Sequence, residues 1–152
     1  MAQDSLFQSI ITLFNFHKGT GIWYPTVIYG VHIESISASN HGVWGDTNAD
    51  SVELRIKSNL AQYVNTSEGP KRYIRPKEYA SLQPSEEYND YFTITPECDF
   101  FYDGRWDDPV PVDDDEYDDG FYNAMNREND GVYLISSAAF FRLIPHFEIG
   151  GR

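Results

Sequence analysis

"SVELRIK", Ser51–Lys57, is the stretch from which the fold can be read. Val52, Leu54 and Ile56 alternate with Glu53 and Arg55. A period of two is what a strand with one dry face and one wet face requires. Upstream, "IWYPTVIYGVHIESISAS" (22–39) is dense in β-branched and aromatic residues and predicts a second strand, with Val27, Tyr29, Val31 and Ile33 on one face. Pro25 interrupts its ladder or marks an edge, and Gly30 signals a bulge or bend. Earlier still, residues 5–17 read as a strand that ends at the turn signal "HKGTG" (17–21), so a hairpin joins it to the next strand.

Downstream of Lys57 the same reading continues with interruptions. "TSEGPKRYIRPKEYASLQPSEEYND" (66–90) carries Pro70, Pro76 and Pro84, each of which removes a ladder donor. It predicts an irregular excursion over about 65–90, with a short extended piece at Tyr73–Ile74 and one helical turn near Lys77–Leu82. Strands follow at Tyr91–Thr95 and Phe100–Tyr102, then at Val132–Ser136 and His146–Ile149. The one extended helix is expected over about 114–129. Asp and Glu at its start oppose the positive end of the helix dipole, Phe121 and Met125 share a face, and Gly131 supplies a left-handed cap. Excursions are expected over about 37–50, 65–90 and 103–119. The fold class is therefore mainly β: a small β-barrel or sandwich in one domain, 1–152, with one short helix and long loops.

Composition narrows the chemistry. The chain carries 24 acids against 11 bases, a net charge of −13. Affinity for nucleic acid comes mainly from Lys and Arg displacing counterions, so such a chain repels DNA and anionic membrane overall. The base cluster Lys71, Arg72, Arg75 and Lys77 reads as a solvated edge. Cys98 is the only cysteine, so no internal disulfide forms, and neighbouring acids raise its pKa and blunt it as a nucleophile. No apolar run is long enough for a membrane span, and the N-terminus lacks the basic region of a signal peptide.

The acidic stretch "RWDDPVPVDDDEYDDGFY" (105–122) invites a metal reading. With Gly120 at the sixth position of a calcium loop, however, the third falls on Tyr117 and the twelfth on Asn126, neither the ligand such a loop needs. A looser site at Asp113, Asp115, Glu116 and Asp118 stays open. The four histidines have no zinc spacing, and no nucleophile elbow is present. No catalytic residue and no cofactor are expected. The aromatic residues Tyr73, Trp106, Phe140 and Phe141, and the loop pair Val43–Trp44, are candidates for subunit contact. Asp107, Asp108, Asp113, Asp114 and Asp115 are candidates for an acidic surface or channel lining.

The order of segments carries a resemblance. "ITLFNF" (11–16), "WYPTVIYGVHIE" (23–34), "DSVELRI" (50–56), "RYIRPKEY" (72–79), "YFTITPECDFFYDG" (91–104), "DGVYLISS" (130–137) and "IPHFEIGGR" (144–152) together resemble a small virion-protein family of tailed phages and prophages. Cys98–Asp99 stands where such chains usually carry Gly–Asp, and the acidic insertion after Trp106 is longer than usual. The resemblance implies a structural, non-enzymatic role: a head-completion or stopper-type subunit of a homo-oligomeric ring at the head–tail joint. Its partners would be other copies of itself, a portal-side adaptor, and tail-terminator or tail-tube proteins. Double-stranded DNA would pass without specific binding, and no membrane would be involved. The protein would be made in the host cytoplasm and end in the virion. Two other readings of the charge are an acidic mimic of DNA and a cation-dependent binding module.

Overall fold

The computed structural model describes residues 7–35, 51–83 and 86–152. The loop pair Val43–Trp44 lies outside them. The elements in chain order are β1 (Ser9–His17), β2 (Ile22–Ser35), β3 (Val52–Lys57), β4 (Tyr63–Thr66), β5 (Gly69–Tyr73), α1 (Pro76–Ala80), β6 (Tyr91–Phe92), β7 (Phe100–Asp103), β8 (Val112–Asp113), α2 (Phe121–Glu128), β9 (Val132–Phe141) and β10 (His146–Gly151).

Six strands close into a barrel. β1 pairs with β2 and β7, β7 with β9, β9 with β10, β10 with β3, and β3 returns to β2, every pair antiparallel. Closure satisfies most of the strand edges that an open sheet would leave bare. β4 meets β2 at Ile28, β5 continues from β4, and the short β6 lies parallel to β5. β8 pairs with Ile22 and Trp23 at the start of β2.

The 51–57 alternation resolves as read. Val52, Leu54 and Ile56 are buried in the barrel interior with Ile11, Leu13, Ile28, Val31, Phe101, Ile135, Phe147 and Ile149. β1 shows no such alternation because it is dry on both sides. Ile11 and Leu13 face the interior, while Phe14 belongs to a second cluster with Trp23, Phe100, Phe121, Met125 and Val132. That outer cluster contains the helix residues Phe121 and Met125, so α2 covers the barrel wall there.

Gly30 is the bulge the sequence predicts. Ser9 pairs with Val31 but Ile11 pairs with Ile28, so β2 carries an extra residue at this point, and Gly30 takes φ +68° to allow it. The consequence corrects the predicted face: a bulge resets the alternation, so Ile28 rather than Val27 or Tyr29 shares the interior with Val31. Pro25 sits within the β1–β2 ladder opposite Phe14, buried rather than at an open edge.

The 65–90 excursion is more ordered than its prolines suggest. It contains most of the β4–β5 hairpin, and α1 falls where one helical turn is predicted, with Pro76 in its first turn, where a missing N–H costs nothing. The extended piece after it is only Tyr91–Phe92, shorter than the predicted 91–95. β9 runs to Phe141, five residues beyond its predicted end at Ser136. One member of the base cluster leaves the solvated edge: Lys71 alternates inward, is only 2% exposed, and donates to Thr26 Oγ1 at 3.2 Å with Glu68 at 3.6 Å. Burial lowers its pKa, and Glu68 partly opposes that. Arg72, Arg75 and Lys77 remain exposed.

Gly151 closes the barrel at a point of contact. A Cβ there would lie 3.0 Å from both Phe101 Cε1 and Tyr133 Cβ, tighter than nine in ten real contacts, so the neighbours would have to give by a few tenths of an ångström. Only glycine lets β10 approach β7 and β9 this closely.

Candidate functional site

The acidic stretch does not form one helix. Asp114–Glu116 make a 3₁₀ turn and α2 starts only at Phe121, so the predicted helix over 114–129 is two elements with a break at Gly120, φ +87°. The break has a cause. Asp114 turns back, its Oδ1 accepting from Trp23 Nε1 at 2.9 Å and from the Phe121 backbone N–H at 2.8 Å. The carboxylate thereby satisfies one orphan donor at the start of α2 and ties the helix to β2. A Cβ at residue 120 would meet that same oxygen at 3.3 Å. Asp114 is thus a structural anchor, where the sequence suggests an acidic-surface residue. Asp114→Ala is expected to cost about 2 kcal/mol, since two donors lose their acceptor. It should also red-shift the Trp23 fluorescence; an unchanged urea midpoint would contradict the anchor.

The other acids divide in the same way. Asp113 is half-buried and accepts from the Asp115 N–H at 3.0 Å, capping the 3₁₀ turn. Asp115, Glu116, Asp118 and Asp119 are exposed, as are Asp107 and Asp108 before them. Among the described residues no group of three or more His, Cys, Asp or Glu side chains converges to hold a metal ion. The four carboxylates considered for a cation, Asp113, Asp115, Glu116 and Asp118, therefore do not form a ligand set.

The candidate contact aromatics also part company. Tyr73 packs against Phe92 and Phe147, and Trp106 against Phe14 and Tyr102, with its backbone N–H donated to Thr12 Oγ1 at 2.9 Å. Phe140 packs on Phe147. These three are half-buried within the subunit. Phe141, the next residue along a strand, points the other way: it is 44% exposed and stacks on His146.

Phe141 leads into the feature that the sequence reading missed. The β9–β10 turn carries Leu143 at 96% and Ile144 at 73% exposure. The Ser58 N–H donates to the Pro145 carbonyl at 3.2 Å, which joins this turn to the β3–β4 turn, where Leu60 is 64% exposed. One end of the barrel thus presents four large apolar side chains to water. Beside them lies a cleft of about 560 Å³ lined by Phe7, Arg55, Lys57, Ile144, Pro145 and His146, together with Ser58 and Glu148. Arg55 pairs with Glu53 at 2.7 Å, and Glu148 bonds His146 at 2.9 Å. The signal was present as "FFRLIP" (140–145): two branched apolar residues in a turn, before a proline, where polar turn formers are usual.

A buried polar network lies at the opposite extreme. Asp99 is fully buried and accepts from Asn15 Nδ2 at 2.8 Å, the Phe16 N–H at 3.0 Å and the Thr95 N–H at 2.9 Å. Asn15 also donates to the Thr93 carbonyl. Burial pushes the Asp99 carboxyl up to about 6 despite these donors. Burial, then the Asp99 charge, pushes the Cys98 thiol up to about 11. Nearby, His17 Nε2 meets the Ala80 carbonyl at 3.0 Å and Nδ1 meets Thr20 Oγ1 at 2.9 Å. A carbonyl can only accept, so Nε2 carries the proton. Their bonds join the β1–β2 hairpin to the 93–99 segment and α1.

The profile of DUF6751, a family of unknown function, matches residues 6–152. The chain belongs to this family. No curated protein and no solved structure matches it. The match spans every described element, so the barrel, the α2 cover and the apolar end all lie within the DUF6751 region.

Proposed function

We propose that this DUF6751 protein is a structural virion subunit, a head–tail connector that assembles with copies of itself into a ring between the portal-side adaptor and the tail. The observation that carries this reading is the apolar end. A barrel that has already closed its core still leaves Leu143, Ile144, Leu60 and Phe141 in water. Large apolar side chains exposed on neighbouring turns of a small, highly charged protein are what a contact surface looks like. The segment 136–147, which supplies three of these four side chains, carries no carboxylate, although the chain holds 24. A surface without carboxylates receives another copy of this −13 chain at low electrostatic cost.

The exposed acids Asp107 and Asp108 suit the other demand on such a ring. A lumen that carries DNA must not grip it, and every Lys or Arg contact with phosphate would add affinity through counterion release. Carboxylates in that position leave the polymer free to slide. The segments quoted above for their resemblance to small phage virion proteins support the same reading.

Deletion of the gene from a tailed phage that encodes this chain tests it. The expected result is DNA-filled heads that lack tails or leak their DNA, restored by supplying the protein in trans. Intact, tailed, infectious particles would contradict the role.

A further inference from the structure

We infer that the apolar end of one subunit takes the acidic turn Asp115–Asp119 of the next, an inference that rests on the ring reading and names its contact. The turn reads "DEYDD": Tyr117, 37% exposed, stands among four exposed acids. The cleft offers the matching chemistry. Its apolar wall is Ile144, Pro145 and Phe7, wide enough at about 560 Å³ for an aromatic ring. Its basic rim is Arg55 and Lys57, whose ammonium lies over the Phe7 ring at 5.4 Å, with exposed Arg142 in the adjoining turn and His146 among the lining residues. The acids facing the cleft are Glu148, bonded to His146 and 3.8 Å from Arg55, and Glu53 beside Arg55. Both are engaged with bases of the same subunit. Within the acidic turn, Asp119 lies 3.9 Å from Arg127, while Glu116 and Asp118 are the acids best placed for a neighbour.

The two surfaces cannot meet within one subunit. The turn is anchored to β2 at Ile22–Trp23 through β8, whereas Ile56, next to Lys57, pairs with β2 at Val31. Eight residues of strand separate Trp23 from Val31, roughly 26 Å at about 3.3 Å per residue. A contact between two different patches is heterologous, and repeated with a rotation that closes it generates a ring. The acidic stretch then divides by role: Asp115–Asp119 docks on the neighbour, Asp114 anchors α2, and Asp107 and Asp108 stay free to line the channel.

The test uses two charge-reversed forms of the full chain. In one, Glu116→Lys and Asp118→Lys invert the turn; in the other, Lys57→Glu and Arg142→Glu invert the rim. All four positions are exposed. Thermal unfolding followed by circular dichroism checks that each form keeps the wild-type fold. By mass photometry each form alone is expected to assemble at least about tenfold more weakly than wild type. An equimolar mixture should regain assemblies, because the inverted turn of one form fits the inverted rim of the other and the two alternate around the ring. Wild-type-like assembly by either folded form alone, or a mixture that stays dispersed, would overturn this contact. Wild-type rings indifferent to all four changes would remove the contact and leave the ring reading standing. Wild-type protein that stays monomeric at about 100 μM, far above the dissociation constant of a stable interface, would overturn both.

Discussion

Asp99→Asn is expected to destabilise the fold by about 3 kcal/mol or more. A carboxylate only accepts, and three N–H donors point at Asp99, from Asn15 Nδ2, the Phe16 N–H and the Thr95 N–H, with the Thr95 hydroxyl beside them. The three N–H donors use both carboxylate oxygens, and an asparagine keeps only one, so even with its NH₂ turned to the Thr95 hydroxyl it leaves at least one buried donor without an acceptor, at about 1–3 kcal/mol each. The urea midpoint checks the loss, and a shift small enough to correspond to less than about 1 kcal/mol would contradict the network's role.

The same residue sets a pH dependence whose sign follows from its environment. Asp99 titrates at about 6 when folded, above the roughly 3.9 of an unfolded aspartate. Between those values the folded state holds a proton that the unfolded state has released, so stability rises as pH falls through 6 toward 4. A shift of about 2 units corresponds to roughly 3 kcal/mol at full extent, absent above the folded value and complete below the unfolded one. Wild type should therefore gain stability between pH 7 and pH 5, and Asp99→Asn should lose that slope. Parallel slopes for the two proteins would assign the effect to other groups.

The second large effect concerns assembly rather than folding. The double substitution Leu143→Ser, Ile144→Ser is expected to weaken self-association at least about a hundredfold, two exposed apolar side chains in the contact being worth roughly 3 kcal/mol or more when buried. At 96% and 73% exposure the two side chains contribute little to the isolated barrel. Its unfolding midpoint should stay within about 0.5 kcal/mol of wild type. Loss of stability comparable to a core substitution would place these side chains inside the subunit. Unchanged association would empty the apolar end of its assigned purpose.

Much of the barrel was legible because its strands obey simple periodicity where one face is wet. The 51–57 segment needed nothing more than Val52, Leu54 and Ile56. Where both faces are dry, as at Leu13 and Phe14, composition names a strand but not its orientation. Gly30 revealed a bulge but not which way it would shift the register, so Val27 was placed on the wrong face. The helix boundary failed for a long-range reason. Acids before Phe121 read locally as a helix start, yet Asp114 caps the helix from seven residues upstream while accepting from Trp23. Lys71 reads as surface because three bases follow it closely, and only the strand's alternation and Thr26 on β2 bring it inside.

The candidate site was legible in kind more than in place. Phe140 and Phe141 were named together, but a strand sends neighbours to opposite faces, and only Phe141 reaches water. Leu143 and Ile144 were passed over because a turn's exposure depends on what packs beside it. Asp99 is hard to mark from sequence for the converse reason: two of its donors, Asn15 and the Phe16 N–H, come from β1, more than eighty residues away, and meet it only when the barrel closes.

Cryo-electron microscopy of intact tailed particles that encode this chain tests the central claim most directly. The account predicts a ring of six-stranded barrels at the head–tail joint, with the 142–145 turn of each barrel against the 115–119 turn of its neighbour and Asp107 and Asp108 toward the channel. A joint fully built from other proteins, with this chain on the capsid surface, along the tail or missing from the particle, would contradict it.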